Sequence, residues 1–501
     1  MLGRKSRVGL PGKPGERWKL IRTNTAWMYI SEIVPRLGGL VVVPLWSARV
    51  NPREYGQWVL LASGMEILIQ ITSLGMVYFL SKVLTRYHDK RSDTYFGMGG
   101  ASVIALSSFS ALIMVLSSSW LSRHFVGPEA RSDLFVFLGL YLILSQINSL
   151  ATTYAQCRVE GPRLSFFILL RWVFSTGFLL YFLVLKNCGF YSWVWAAVAG
   201  ELGPLPLSLY FLRHVVWKYF DRHLFRFALR FSLPNLGTSM LSWIHNRVGR
   251  YALSMERFGA GVGLYGVAQN FSQNYYLVLR PAKGVSIQMV IHDLENDHTS
   301  PRFLEFFHAY GALALAVAFL SALFLGDVVH WLAAPAYRTA TLALPSILFA
   351  LYLEEIYTLY DTLMHRYFKS WFHLWSNLAT FPTMLVAVWW LVPRMGFVGA
   401  ALAQLAGSIG KIGFAHIYSG RISPRAFRLK EKLCMATVAL IVTAWAEFRH
   451  IAIFPKILLA LAGMIPFGVY HWERRNQLFP TVWDVFRKEL SARFPFQRLA
   501  K

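Results

Sequence analysis

Residues 312–325 read ALALAVAFLSALFL, an apolar run without a charged side chain. A strand of a membrane β-barrel alternates apolar and polar residues, so a continuous run of this kind argues against a barrel. A helix satisfies its backbone hydrogen bonds within itself and can therefore cross the hydrocarbon of a bilayer. The stretch predicts a transmembrane helix, and similar runs recur along the chain.

The composition extends this prediction to the whole chain. Of the 501 residues, 55% are hydrophobic and 15% are charged, whereas soluble domains contain about 45–50% and about 25%. We predict an all-α polytopic membrane protein with about fourteen transmembrane helices, forming two pseudo-symmetric six-helix lobes around a central cavity plus two extra C-terminal helices. The predicted spans are 25–46, 57–80, 96–118, 133–156, 164–185, 191–212, 232–254, 262–291, 303–325, 341–363, 371–392, 397–418, 433–449 and 454–472.

The predicted domains follow from these spans. They are a basic arm 1–24, an N-lobe 25–212, a linker 213–231, a C-lobe 232–418, spans 13 and 14 within 433–472, and a basic tail 473–501. The arm, linker and tail mix basic residues with aromatic residues or leucines, which is typical of amphipathic helices on an anionic lipid surface. A solvated basic segment is the alternative for each.

The charge distribution predicts the orientation. The net charge is +25, and the basic residues fall between apolar runs rather than on one soluble face, which argues against a nucleic-acid partner. Counted with the adjoining span ends, the arm, the tail and the even-to-odd loops hold 35 Lys and Arg residues, and the opposite loops hold 12. Cytoplasmic loops carry the excess of Lys and Arg, so both termini are predicted to be cytoplasmic.

A short internal repeat supports two related halves. Tyr55-Gly56 and Tyr265-Gly266 are 210 residues apart, each at the head of an even-numbered span. Parallel repeats of this kind are common in transporters, whose substrate site lies between the halves.

These residues also carry a resemblance to a known family. The segment 51–56 (NPREYG), Ser232-Leu233-Pro234 at the start of span 7, Arg247 and Gly263-Leu264-Tyr265 together resemble the polysaccharide-transporter branch of the multidrug/oligosaccharidyl-lipid/polysaccharide flippase superfamily. One position departs from the pattern, because Asn246 stands where an acidic residue commonly precedes the span 7 arginine.

The resemblance implies a function. Members of the branch move undecaprenyl-pyrophosphate-linked oligosaccharide across the bacterial inner (plasma) membrane during biosynthesis of exopolysaccharide, other surface polysaccharide or O-antigen. The implied partners are this lipid-linked oligosaccharide, with H⁺ or Na⁺ as coupling ion and other polysaccharide-assembly proteins as further candidates. Asn246 puts coupling through an aspartate at that position in doubt.

Basic side chains inside predicted spans are the candidate substrate contacts, because an ionisable group in the hydrocarbon is costly and therefore functional by default. A guanidinium binds phosphate oxygens in a bidentate manner, as a pyrophosphate requires. Snorkelling to an interface, or pairing with a carboxylate, is the alternative for each. The candidates are Arg36, Arg247, Arg250, Arg280, Lys283 and Lys411.

Acidic side chains within the spans form the second set. A carboxylate there either carries a coupling proton or neutralises a neighbouring base, and pairing is the simpler interpretation for most of them. Glu32 and Arg36 are four residues apart on one helix face and can pair directly. The set is Glu32, Glu66, Glu201, Glu354 and Asp361.

Several functions are excluded or ranked lower by what the sequence lacks. There is no GxxxxGK[ST] phosphate loop, no HExxH motif and no zinc-like Cys/His spacing, so we predict no enzyme activity, cofactor or metal. A cation-coupled multidrug exporter is the first alternative, although it would need acidic cavity groups without basic partners. A glycosyl polymerase or ligase is the second, although the outer loops are short.

Overall fold

The computed structural model describes residues 14–86, 90–125, 131–158, 161–217, 220–256, 259–280, 301–366, 371–420, 429–449 and 451–463. Within these ranges the secondary structure is helical and contains no strand. The predicted all-α class is therefore confirmed. The predicted surface helix of the tail 473–501 lies outside the described residues.

The helices are numbered here in chain order. They are α1 Pro14–Ser47, α2 Pro52–Thr72, α3 Met76–Arg86, α4 Lys90–Leu116, α5 Ser118–Phe125, α6 Leu134–Cys157, α7 Gly161–Leu180, α8 Tyr191–Leu202, α9 Leu205–Leu212, α10 Arg222–Met255, α11 Gly259–Ser272, α12 Pro301–Leu332, α13 Leu344–Arg366, α14 Trp371–Gly420, α15 Leu429–Phe448 and α16 Ile453–Gly463. A π turn Tyr181–Leu185 follows α7. A 3₁₀ turn Gln273–Tyr275 follows α11, and a second 3₁₀ turn Pro335–Ala343 precedes α13.

The described helices include membrane-spanning lengths of apolar sequence. Seven segments of the described chain are long and apolar enough to cross a bilayer, among them Leu134–Cys157 and Phe307–Leu332. Each of the fourteen predicted spans overlaps a helical segment, and the exact count stays a prediction. The predicted spans 371–392 and 397–418 run together in α14, which turns at Gly396, where φ is 54° and ψ is −129°.

Contacts divide the chain into two compact units. The first contains the residues up to Gly266 and the segment Leu332–Arg338, and the second contains Val267–Trp331 and the residues from Thr339 onward. In the first unit, a core around Phe96, Leu150 and Phe211 is fully or almost fully buried. In the second unit, Phe319 and Leu323 of α12 pack with Ala446 of α15 and Ala460 of α16. These contacts hold α15 and α16, called here the C-terminal hairpin, against α12.

The second predicted span, 57–80, is broken rather than continuous. Leu74 and Gly75 between α2 and α3 adopt positive φ values of 51° and 65°. A Cβ on residue 75 would lie 2.6 Å from the carbonyl oxygen of Ser232, so glycine permits close contact with α10 there. The Ile69 carbonyl oxygen near the break accepts from the Ser73 N–H at 3.0 Å and also from the side chain of Gln146 at 2.6 Å.

The two copies of the internal repeat contact each other within the first unit. A Cβ on Gly56 of α2 would lie 2.5 Å from the carbonyl oxygen of Gly259, and one on Gly266 of α11 would lie 2.8 Å from Val59. Small residues let two helix backbones approach closely in a membrane protein. The Tyr-Gly pairs therefore mark a close crossing of α2 and α11.

Candidate functional site

A bidentate ion pair joins α2 to α10 inside the first unit. The Nε and Nη2 atoms of Arg247 donate to the two carboxylate oxygens of Glu66 at 2.8 and 2.9 Å. Arg247 lies eight residues before the end of α10 at Met255, which is about 12 Å along a helix axis. The side chains are 23% and 43% exposed respectively, so the pair borders an open surface of the unit.

Arg250 lies one turn further along the same face of α10 and is much less accessible. Its Nη1 donates to the Ser63 hydroxyl at 2.6 Å, and the residue is 6% exposed. The carbonyl oxygen of Ser63 accepts a hydrogen bond from Trp243 Nε1 at 3.0 Å. Ser63 and Glu66 are three residues apart and lie on one face of α2. Their partners Trp243, Arg247 and Arg250 are spaced by four and three residues and lie on one face of α10. A single contact between the two helices therefore positions the whole cluster.

The formal charge of this cluster is positive. Arg247 and Arg250 contribute two positive charges and Glu66 contributes one negative charge. The carboxylate that pairs with Arg247 comes from α2. Asn246, the neutral neighbour of Arg247 in the sequence, donates to the Ser242 carbonyl oxygen of its own helix at 2.8 Å. The structure thus brings together three predicted site residues, Glu66, Arg247 and Arg250, and adds Ser63 and Trp243, which sequence analysis missed.

A second arginine–glutamate pair in the first unit has a different environment. Arg171 of α7 pairs with Glu201 of α8, whose side chain is 1% exposed. The side-chain amide of Asn148 donates to the Glu201 carboxylate at 2.6 Å and to the Glu201 carbonyl oxygen at 2.8 Å. Ser208 in turn donates to Asn148 at 2.6 Å. Helices α6 to α9 are therefore linked by one buried polar network.

In the second unit, Lys411 is buried against Glu354. Its Nζ lies 2.7 Å from a Glu354 carboxylate oxygen and 4.2 Å from the centre of the Tyr357 ring, and its side chain is 6% exposed. Asp361 is 3.1 Å from His373 Nδ1, an atom that also lies 2.9 Å from the Tyr357 hydroxyl. Sequence analysis proposed a cavity or a carboxylate for Lys411, and the structure places it against a carboxylate.

A fourth charged cluster lies in the second unit and contains no predicted site residue. Lys456 of α16 lies 2.9 Å from Asp327 of α12 and 3.7 Å from Glu447 of α15, and its side chain is almost fully buried. Glu447 and Lys456 lie within the predicted spans 433–449 and 454–472 but are not among the candidates named from the sequence. The arrangement joins the C-terminal hairpin to α12, next to the apolar contacts described above.

The remaining predicted residues are placed as follows. Glu32 and Arg36 are half-buried on α1, four residues apart, and their membership of the cluster of α2 and α10 stays a prediction. Arg280 is exposed, and its guanidinium carbon lies 5.3 Å from the centre of the Tyr276 ring. Lys283 lies outside the described residues. In the described part of the chain, no three His, Cys, Asp or Glu side chains form a group that could hold a metal ion.

A family profile matches the chain. The family is described as "Polysaccharide biosynthesis protein", and the match covers residues 21–287, more than half of the sequence. Among curated proteins, none matches.

Solved structures with the same fold are transporters. An inward closed form of the lipid II flippase MurJ has a TM-score of 0.66 at 12% identity, over 90% of this chain and 99% of that chain. An inward-facing multidrug resistance MATE family transporter of the MOP superfamily has a TM-score of 0.59 at 14% identity, over 78% and 98%. A MOP superfamily transporter from Pyrococcus furiosus, described as having a binding pocket of reversed polarity that suggests a different function, has a TM-score of 0.53 at 15% identity, over 81% and 95%. At these identities the likeness establishes the fold.

Proposed function

Because the chain belongs to the polysaccharide biosynthesis protein family of the MOP flippase superfamily, we propose that it flips undecaprenyl-pyrophosphate-linked oligosaccharide repeat units across the bacterial inner membrane. The units would supply synthesis of exopolysaccharide, other surface polysaccharide or O-antigen. The family and its structural neighbours are transporters and flippases rather than enzymes. The protein is accordingly a multi-pass membrane protein, and we propose that both termini are cytoplasmic and that its basic segments contact anionic lipid.

The single observation that carries this proposal is the pair of arginines on α10. An isolated charge in the hydrocarbon costs about 2.5–3.5 kcal/mol on insertion scales. Arg247 has open surface within the predicted span 232–254, so we expect it to face a water-filled cavity, with Arg250 buried beside it. We place the lipid pyrophosphate against Arg247 and Arg250. A guanidinium fork matches phosphate oxygens in geometry and charge, and the attraction strengthens in a low-dielectric cavity.

Alternating access supplies the movement in this proposal. The headgroup would enter a cavity open to the cytoplasm, bind the arginines, and leave when the cavity opens to the other side. Arg36, Arg280, Lys283 and Lys411 remain proposed further contacts. Glu32, Glu201, Glu354 and Asp361 remain proposed coupling or charge-pairing groups. H⁺ or Na⁺ would be the coupling ion, and other polysaccharide-assembly proteins would be partners.

Multidrug export is the second candidate, since multidrug transporters share the fold. The charge of the cluster separates the two candidates. A cationic drug requires an acidic pocket, whereas Glu66 already binds Arg247 and a second arginine lies beside it. The described reversal of pocket polarity in a neighbour of the same fold supports the use of pocket charge as the criterion.

The test measures the lipid carrier in cells. The gene is deleted and complemented with wild type, Arg247→Ala or Arg250→Ala, and polyprenyl-pyrophosphate oligosaccharides are extracted from the membranes. We expect completed units to accumulate on the inner leaflet and surface polysaccharide to disappear in the deletion and in both variants. Arg394→Ala is the matched control, because this exposed arginine donates to a carbonyl oxygen of its own helix. Normal carrier levels in the deletion would refute flipping, and drug-efflux assays would then follow.

A further inference from the structure

The two arginines of the α10 cluster have different partners. Arg250 is buried and donates to a neutral hydroxyl, that of Ser63. Arg247 is partly accessible, and the partner of its fork is an accessible carboxylate, that of Glu66. A carboxylate and a phosphate bind a guanidinium fork in the same bidentate manner. An incoming phosphate therefore competes with Glu66 for the same two N–H groups of Arg247.

We propose that Glu66 is a built-in placeholder for the anionic headgroup, an inference that rests on the proposed function. Its carboxylate occupies the Arg247 fork until a phosphate group displaces it, and its return expels the headgroup. Glu66 is thus a positioning residue that sets the affinity of the site rather than a coupling group.

The charge count explains why such a residue is useful. Glu66 brings one negative charge to the Arg247 fork, and without it the fork would present its full positive charge to the headgroup. At a separation of a few ångströms in a low-dielectric cavity, one unit of charge changes the attraction for an anion substantially. A pyrophosphate held by both arginines without a competitor would therefore leave slowly, whereas a transporter must release its substrate.

The geometry permits the exchange. Ser63, one turn before Glu66, is fixed to α10 through Trp243 and Arg250. The backbone of α2 can therefore stay in place while the Glu66 side chain, which is 43% exposed, rotates away from Arg247. Glu201 in the other arginine pair lacks this freedom, because Asn148 and Arg171 both hold its buried carboxylate.

The test measures binding to the purified full-length protein in detergent. Geranylgeranyl pyrophosphate is the probe, geranylgeraniol is the uncharged control, and calorimetry or a ligand-depletion assay gives Kd. We expect Glu66→Gln to tighten binding of the pyrophosphate by about tenfold or more, within the ordinary range of coupling between sites. Arg247→Ala should abolish binding, and Glu66→Gln should have no effect in an Arg247→Ala background. Asp133→Asn is the matched control, because it removes an exposed carboxylate paired with Arg131, and it should leave Kd unchanged.

The outcomes distinguish this inference from the proposed function. Unchanged or weaker binding by Glu66→Gln, with binding still lost in Arg247→Ala, would refute the placeholder and leave the site intact. Equal binding of the pyrophosphate by wild type and all variants, or no binding by any of them, would refute both. If Glu66→Gln does not fold, Glu66→Asp provides the second variant: it keeps the charge but shortens the side chain, and it should also tighten binding.

Discussion

Two arginine–glutamate pairs in the first unit have opposite patterns of accessibility. In the Arg171–Glu201 pair the carboxylate is buried, and the arginine, 47% exposed, reaches it from the periphery. In the Arg247–Glu66 pair the carboxylate is the more accessible partner. The same two residue types therefore build a fixed structural link in one place and an exchangeable contact in the other. The difference lies in whether the carboxylate has other partners and room to leave.

The largest effect is expected from breaking the buried pair. Arg171→Ala leaves the Glu201 carboxylate enclosed without its cation, and removal of one partner from a buried ion pair typically costs about 3–5 kcal/mol. The apparent melting temperature of the purified protein in detergent should fall sharply. Arg171→Ala combined with Glu201→Gln should recover part of the loss, because the remaining amide is neutral. A melting temperature equal to that of wild type in Arg171→Ala would show that Glu201 is not enclosed as described.

In the second unit the buried partner is the cation, Lys456, which contacts two carboxylates. Lys456→Met leaves Asp327 and Glu447 facing each other without the ammonium group between them. Since Asp327 is a quarter exposed, we expect a loss near the lower end of the buried range, about 3 kcal/mol. Limited proteolysis should cut the C-terminal hairpin faster than in wild type, while Arg394→Ala should leave its cleavage rate unchanged. Unchanged cleavage in Lys456→Met would mean that the apolar contacts alone hold the hairpin.

The helices could be predicted from the sequence, but the ion pairs between them could not. Apolar runs are local, so the helices and the individual intramembrane charges could be identified. The partner of Arg247 could not, because Glu66 lies 181 residues away and only the packing of α2 against α10 brings the two together. The break at Leu74–Gly75 was also missed. It lies in an apolar run, and the residues packed around it, Gln146 and Ser232, are distant in the sequence.

A smaller effect is expected at the crossing that positions α2. Gly56→Ala places a methyl group against the backbone of Gly259, and overpacking of a close contact costs about 1–3 kcal/mol. Gly39→Ala is the matched control, since a Cβ there has no neighbour within 4 Å. Because α2 also carries Glu66, Gly56→Ala should reduce flipping as well as the melting temperature. If Gly56→Ala and Gly39→Ala have the same melting temperature, the crossing of α2 and α11 is looser than described.

The smallest loss of stability is expected where the functional loss is greatest. Arg247→Ala leaves the Glu66 side chain 43% exposed, and in the proposed water-filled cavity its carboxylate keeps solvent contact, so the loss should be about 1 kcal/mol or less, as for surface pairs. Asp133→Asn gives the benchmark, because Asp133 and Arg131 form an exposed pair at 2.7 Å. The melting temperature of Arg247→Ala should be close to that of Asp133→Asn. Arg247→Ala should stop flipping, whereas Asp133→Asn should not. An Arg247→Ala protein as unstable as Arg171→Ala would place Glu66 in the interior and remove the distinction between the two pairs. A stable but inactive protein would show that the Arg247–Glu66 contact is maintained for binding, since its removal leaves the fold intact.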